Sequence, residues 1–121
     1  MRRFPLLLAA LLVVAVLVPS QAQAFKPEII YVRAADESDG IRFTVKVRMD
    51  KGGRNQRKVS VTYDGDRRQA KPLERPPLSH YETNGYSIPT RDCYRVKVVA
   101  HNQYGTTIKN MRAPLYGTNG C

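Results

Sequence analysis

The sequence predicts an all-β protein, built as a single antiparallel β-sandwich of about seven strands. Several segments alternate apolar and polar residues with the period of two that marks a half-buried strand. Turn-forming residues separate these segments about every 8 to 15 residues, and no window has the period of a helix. Such a run of short strands favours two packed antiparallel sheets over a helical or α/β fold.

The clearest predicted strand covers residues 41 to 47, where the odd positions are apolar and the even positions are polar. A second covers residues 59 to 63 and ends at Asp64-Gly65, a pair typical of tight hairpin turns. A first strand is expected over residues 29 to 34, with Ile29, Tyr31 and Arg33 on the face opposite Ile30, Val32 and Ala34, and a turn over residues 36 to 40 follows it. A short edge strand over residues 67 to 70 completes the first half.

Proline limits the middle of the chain. Prolines at positions 72, 76 and 77 exclude helix and central strand from that stretch, so the next expected strand is brief and covers residues 86 to 88. Residues 94 to 101 and 106 to 111 then form a hairpin. A turn centred on residues 103 and 104 pairs positions whose numbers sum to about 207, so Cys93 should lie opposite residue 114.

The first 24 residues resemble a cleaved secretory signal of bacterial type. Arg2 and Arg3 precede an uncharged apolar run over residues 6 to 18, and Ala22-Gln23-Ala24 is a small-x-small cleavage site. The run is too short to span a membrane, which needs about 20 residues. We therefore expect residues 25 to 121 to be exported as one domain, to the periplasm or outside the cell, without a transmembrane anchor.

The two cysteines, Cys93 and Cys121, should form a disulfide in an oxidising compartment. Such a bridge would stabilise the domain by roughly 3 to 4 kcal/mol in the loop-entropy model. To reach Cys93, the chain after residue 114 must fold back, and Gly117, Asn119 and Gly120 permit that reversal. Neither cysteine matches a zinc-ligand spacing with His80 or His101.

Positive charge is concentrated in one part of the chain. The formal net charge is +10, and residues 42 to 75 hold eleven Lys or Arg against four acids. This region would steer anionic partners with strong salt dependence, although it could equally be a solubilising face. Aromatic residues are not interleaved with the basic ones, which disfavours nucleic acid. The candidate binding residues are Arg54, Arg57, Lys58, Arg67, Arg68 and Lys71.

The segment Tyr94-x-Val96-x-Val98-x-Ala100-x-Asn102, followed by Gly105, resembles the sixth strand and following loop of fibronectin type III domains. Residues 59 to 65 are similar to the third strand and turn of that family. The resemblance implies an immunoglobulin-like sandwich. It also implies a structural role for Tyr94, whose hydroxyl would form a corner by bonding to upstream backbone.

These features predict a non-catalytic exported binding or structural module that recognises a protein or an anionic cell-envelope polymer. The alternative is a small secreted inhibitor or effector that uses the proline-rich residues 71 to 78 as a rigid loop. No catalytic constellation, phosphate loop or metal motif stands out, so neither an enzyme nor a cofactor is expected. Asp36, Glu37 and Asp39 lack the full spacing of a calcium loop and are interpreted as a turn. The oligomeric state stays open.

Overall fold

The computed structural model describes residues 25–49, 57–74 and 78–121. Seven strands occur in these ranges, and no helix is found in them. The predicted signal segment lies outside the described residues, and so does most of the loop between the second and third strands. The strands are β1 (Glu28–Glu37), β2 (Gly40–Arg48), β3 (Lys58–Tyr63), β4 (Asp66–Pro72), β5 (Leu78–Glu82), β6 (Cys93–Asn102) and β7 (Gly105–Pro114).

The strands form two antiparallel layers. One contains β1, β2 and β5, and the other contains β4, β3, β6 and β7 in that spatial order. At one side the layers are joined because Lys71 and Pro72 of β4 pair with β5. At the other side Ala34 of β1 forms a parallel bridge with Leu115. The predicted fold class is confirmed: the chain is an all-β, antiparallel, immunoglobulin-like sandwich.

Apolar side chains from both layers meet in one core. The predicted alternation of β2 is confirmed, because Ile41, Phe43, Val45 and Val47 are all buried. The ring of Phe43 lies 5.6 Å from that of Tyr94 on β6 and packs edge-on against it, a geometry that aromatic pairs favour. Contacts of this kind tie the layers together through the interior.

The alternation predicted for the first strand is wrong at its start. Ile29, Val32 and Ala34 are all buried, whereas Ile30 is 42% exposed. A β-bulge explains the change of phase, because Ile29 pairs with Val47 and Tyr31 with the adjacent Lys46, which leaves Ile30 as the extra residue. A bulge inserts one residue and moves every later side chain to the opposite face.

The fifth strand also differs from the prediction. It covers Leu78–Glu82, and the segment predicted as a strand contributes only the bridge between Tyr86 and Ile41. Proline restricts its own position and the residue before it, so β5 can begin directly after Pro77. Within β5, the strand period places both Ser79 and Tyr81 in the interior.

Two turns depend on backbone conformations that favour glycine. Asp64 and Gly65 have φ values of 50° and 81°, as the two central residues of a type I′ turn require, so the predicted hairpin is confirmed. Gly40 has a φ of 121°, and a Cβ there would lie 2.3 Å from the carbonyl oxygen of Tyr86. This close approach allows Ile41 and Tyr86 to exchange backbone hydrogen bonds of 2.9 and 2.8 Å.

Candidate functional site

The outer face of the β4–β3–β6–β7 layer is strongly basic. Alternation along β6 buries Tyr94, Val96 and Val98 and leaves Arg95 and Lys97 exposed on the opposite side. The register of the neighbouring strands extends this outward face across all four strands. We call it the basic face and define it by its five cations, which are Lys58, Arg67, Arg95, Lys97 and Arg112.

Two of these cations are direct neighbours. Arg95 of β6 lies opposite Arg112 of β7 in the ladder. Like charges in this position repel each other and destabilise a sheet. Within the described part of the chain, none of the five cations forms a salt bridge. In the described chain the layer therefore carries two like charges at directly opposite positions without a salt-bridge partner.

Shallow grooves cross the basic face. One, with a volume of about 540 Å³, is lined by Lys58 and Arg67 together with Ser60, His101 and Thr106. The hydroxyl of Ser60 is buried and has no hydrogen-bond partner among the described residues. A second groove of about 530 Å³ is lined by Arg95, Lys97 and Arg112, and Asp64 is the one acidic residue among its described lining. Both grooves are therefore lined by cations.

The six candidate binding residues do not form one surface. Lys58 and Arg67 lie on the basic face, and Arg54 lies outside the described residues. Lys71 is exposed but lies opposite Glu82, where β4 joins the other layer. Half-buried Arg57 lies near Tyr81. Burial raises the pKa of the Tyr81 hydroxyl, and the positive charge of Arg57 lowers it by a smaller amount.

Arg68 lies on the other side of β4 from the basic face. Its guanidinium donates to Asp66 Oδ2 at 2.9 Å and to the carbonyl oxygen of Gly85 at 2.6 Å, and it stacks 3.9 Å from the ring centre of Tyr86. Burial, followed by the negative charge of Asp66, raises the pKa of Tyr86 to about 12. Through these contacts the Arg68 side chain binds β4 to Gly85 and Tyr86 at the edge of the sandwich.

Three cations of the basic face were not among the six predicted binding residues. They are Arg95, Lys97 and Arg112. Arg95 and Lys97 lie beyond the basic cluster in sequence, and Arg112 lies beyond the strand predicted to end at residue 111. Two features of the sequence identify them: the alternation of β6 and β7, and the predicted pairing of positions whose numbers sum to about 207. That pairing is confirmed from Asn102 opposite Gly105 to Cys93 opposite Pro114.

On the outer face of the other layer, Arg42 forms salt bridges with two acidic residues. Arg42 donates to Asp39 Oδ1 and to Glu82 Oε1, both at 2.8 Å. Hydrogen bonding to Arg42, and then to the Gly85 amide, holds the pKa of Asp39 below its ordinary value. Hydrogen bonds to Asp39, and then to Glu82, raise the pKa of Arg42. The charge of Arg42 is therefore paired within the protein.

A hydrogen-bonded chain also lies on that layer. The Tyr31 hydroxyl is 2.9 Å from Nε2 of His80, whose Nδ1 lies 2.5 Å from Glu74. The guanidinium of Arg33 stacks 4.2 Å from the centre of the Tyr31 ring, and Lys46 lies 5.7 Å from it. This arrangement anchors the connection after β4 to the sheet.

The Tyr94 hydroxyl joins β6 to the connection that precedes it. It donates to the carbonyl oxygen of Pro89 at 2.9 Å and accepts the N–H of Arg91 at 2.8 Å. The ring itself is buried. One side chain therefore satisfies two backbone groups and fixes where Arg91 stands.

The predicted disulfide between Cys93 and Cys121 is confirmed. The chain after Pro114 folds back to form it, with Gly117 at a φ of 84° and Gly120 at 71°. A Cβ at Gly120 would approach that of Pro114 to 2.8 Å, so the tail lies directly on the end of β7. The disulfide consequently stands beside the Arg95–Arg112 pair, at the end of the basic face.

The acidic turn residues serve other contacts. Asp39 binds Arg42 and the amide of Gly85, and Asp36 accepts a hydrogen bond from the Thr90 hydroxyl at 3.3 Å. No group of three or more potential metal ligands occurs in the ranges that the structure covers. In those same ranges, no helix is long and apolar enough to cross a membrane.

The chain matches solved structures at low sequence identity. A solved structure of titin M4 in a trigonal form is 17% identical, with a TM-score of 0.42, and the match covers 78% of this chain and 98% of the titin chain. No protein-family model and no curated protein matches the sequence.

Proposed function

We propose that this protein is a non-catalytic, exported binding module that recognises an anionic cell-envelope polymer through its basic face. The observation that carries the proposal is the Arg95–Arg112 pair, two like charges placed side by side without a described counter-ion. A surface that must only be soluble gains from mixed charges and has no need of such a pair. An anionic partner would remove the repulsion and supply the missing counter-charge.

The contrast between the two layers supports the same proposal. On one outer face Arg42 is paired with Asp39 and Glu82, and the remaining cations, Arg33, Lys46 and Arg48, lie over aromatic rings. In the described chain the five cations of the basic face have neither a salt-bridge partner nor an aromatic ring beneath them. The grooves on the basic face would hold an extended chain. Export follows from the predicted signal segment, and membership of the fibronectin type III family is supported by the Tyr94 corner.

The test is binding of the purified, disulfide-bonded protein to heparin, polyphosphate and lipopolysaccharide between about 50 and about 500 mM NaCl. We expect saturable binding that weakens steeply with salt, since screening weakens each exposed contact. Removing one cation–anion contact should lower the slope of log affinity against log salt by about one.

Three charge-matched double variants locate the surface. Arg95→Gln with Arg112→Gln, and Lys58→Gln with Arg67→Gln, should each weaken binding about tenfold or more. Arg33→Gln with Arg48→Gln removes the same charge from the other layer and should leave affinity within about twofold. Equal weakening by all three pairs would indicate a response to net charge alone and would overturn the proposal, as would the absence of saturable binding.

A further inference from the structure

A pocket of about 460 Å³ lies at the end of the basic face, beside the disulfide. Three of its lining residues are Arg91, Arg95 and Arg112, and no Asp or Glu is among the described residues that line it. The disulfide contributes both of its cysteines to the wall. The charged side chains that line it in the described chain are therefore all guanidinium groups, in contrast to the mixed lysines, arginines and hydroxyls of the grooves farther along.

The pocket is built by three separate parts of the chain. The β6–β7 ladder places Arg95 and Arg112 side by side. The Tyr94 hydroxyl holds the backbone N–H of Arg91 at 2.8 Å and so keeps this third arginine at the rim. The disulfide brings the returning tail over the end of β7. The positions of the backbones that carry the arginines are thus fixed before any ligand arrives.

Guanidinium chemistry favours one class of ligand. A guanidinium is a planar fork that donates two parallel hydrogen bonds to the oxygens of one phosphate, sulfate or carboxylate group. A single carboxylate has only two oxygens with which to accept hydrogen bonds from three guanidinium groups. A phosphate or sulfate monoester has three terminal oxygens in a tetrahedral arrangement and can engage several forks at once.

We infer that this pocket is a specific site for a tetrahedral oxyanion, a phosphate or sulfate ester group carried by the anionic partner. The inference rests on the proposed function and makes it more specific, because it separates phosphorylated or sulfated polymers from those that carry only carboxylates. The rest of the basic face contributes general attraction. The three arginines select the chemical group.

The test uses small anions as probes. Sodium phosphate, sodium sulfate and sodium acetate are titrated at constant ionic strength, and the side-chain Nε–H signals of the arginines are followed by NMR. We expect saturable shifts at Arg95 and Arg112 with phosphate or sulfate, and at least about tenfold weaker binding of acetate. The stronger of the two tetrahedral ions identifies the ester.

Variants of Arg112 distinguish the paired hydrogen bonds of a guanidinium from the effect of its positive charge. Arg112→Lys keeps the charge and the exposed position but loses the fork, so it should lose most of the preference for the tetrahedral ion over acetate. Arg112→Gln should weaken phosphate or sulfate binding about tenfold or more. Arg48→Gln, a matched loss of charge on the other layer, should leave small-anion binding unchanged. Full preference retained by Arg112→Lys would overturn the inference.

The polymers distinguish this inference from the proposed function. Heparin, or a dextran that carries phosphate monoesters, should bind more tightly than polyglutamate of similar length, because its sulfate or phosphate groups have three terminal oxygens. Arg112→Lys should reduce that difference. Equal binding of all three polymers, with the normal loss in the charge variants, would overturn the pocket inference and leave the proposed function standing. Saturable binding of the small ions without binding of any polymer would overturn the proposed function and support the pocket.

Discussion

The Tyr94 hydroxyl offers the most direct test of how the connection before β6 is held. Tyr94→Phe removes one oxygen from the structure and preserves the buried ring. The change leaves the Pro89 carbonyl without its donor and the Arg91 N–H without its acceptor. Both backbone groups belong to exposed residues, so water can replace part of what is lost.

The expected cost is about 1 to 2 kcal/mol, since each hydrogen bond contributes about 1 kcal/mol net. Unfolding entropy of about 2.1 cal/mol/K per residue gives roughly 0.2 kcal/mol/K for a domain of about 97 residues, so Tm should fall by about 5 to 10 °C. Thermal and urea unfolding measure this loss. Amide hydrogen exchange at Arg91 should accelerate in the same variant, because that N–H loses its acceptor.

Tyr116→Phe is the matched control, since the Tyr116 side chain is 80% exposed. It should change stability by less than about 0.5 kcal/mol. An unchanged Tm in Tyr94→Phe, or unchanged exchange at Arg91, would refute the argument that the hydroxyl holds this corner.

Three further predictions concern stability. Because the pKa of Tyr86 is raised to about 12 from its ordinary value of 10.0, its contribution to stability is complete below pH 10 and should be lost as pH rises through 12, by about 2 to 3 kcal/mol. Tyr86→Phe should flatten this alkaline decline in urea unfolding, and an identical decline would count against it. Replacing Cys93 and Cys121 with serine should lower stability by roughly 3 to 4 kcal/mol, and a reductant should then affect only the wild type. Gly40→Ala should lower the free energy of unfolding by about 3 kcal/mol or more, because the added Cβ would meet the backbone of Tyr86. Gly65→Ala, at a φ of 81° with open space around it, should lower it by about 1 kcal/mol. Equal losses of Tm in the two variants would contradict this reasoning.

Local patterns predicted the β2 core face, the β6–β7 register and the turn at Asp64-Gly65. These features depend on side-chain period, chain direction and residues that tolerate positive φ, all of which neighbouring residues specify. The bulge at Ile30 was missed because it is visible only in the pairing of Tyr31 with Lys46. The β5 strand was missed because its pairing with β2 comes from a distant part of the chain.

The residues of the candidate site were likewise predicted only in part. Composition indicated a basic protein with an anionic partner, and two of the predicted residues, Lys58 and Arg67, do share a groove. Sequence proximity grouped them with Arg68, although the strand period places Arg68 on the other side of β4. It also separated them from Arg95, which the β3–β6 pairing brings into the same face.

The sequence by itself determined the strands with strong alternation, the cysteine pair and the excess of positive charge. These properties follow from residue type and local spacing. Only the tertiary structure decided which cations stand together, because a sheet juxtaposes residues from distant strands and sends adjacent side chains to opposite faces. The Arg95–Arg112 pair and the pocket beside Cys121 exist for that reason.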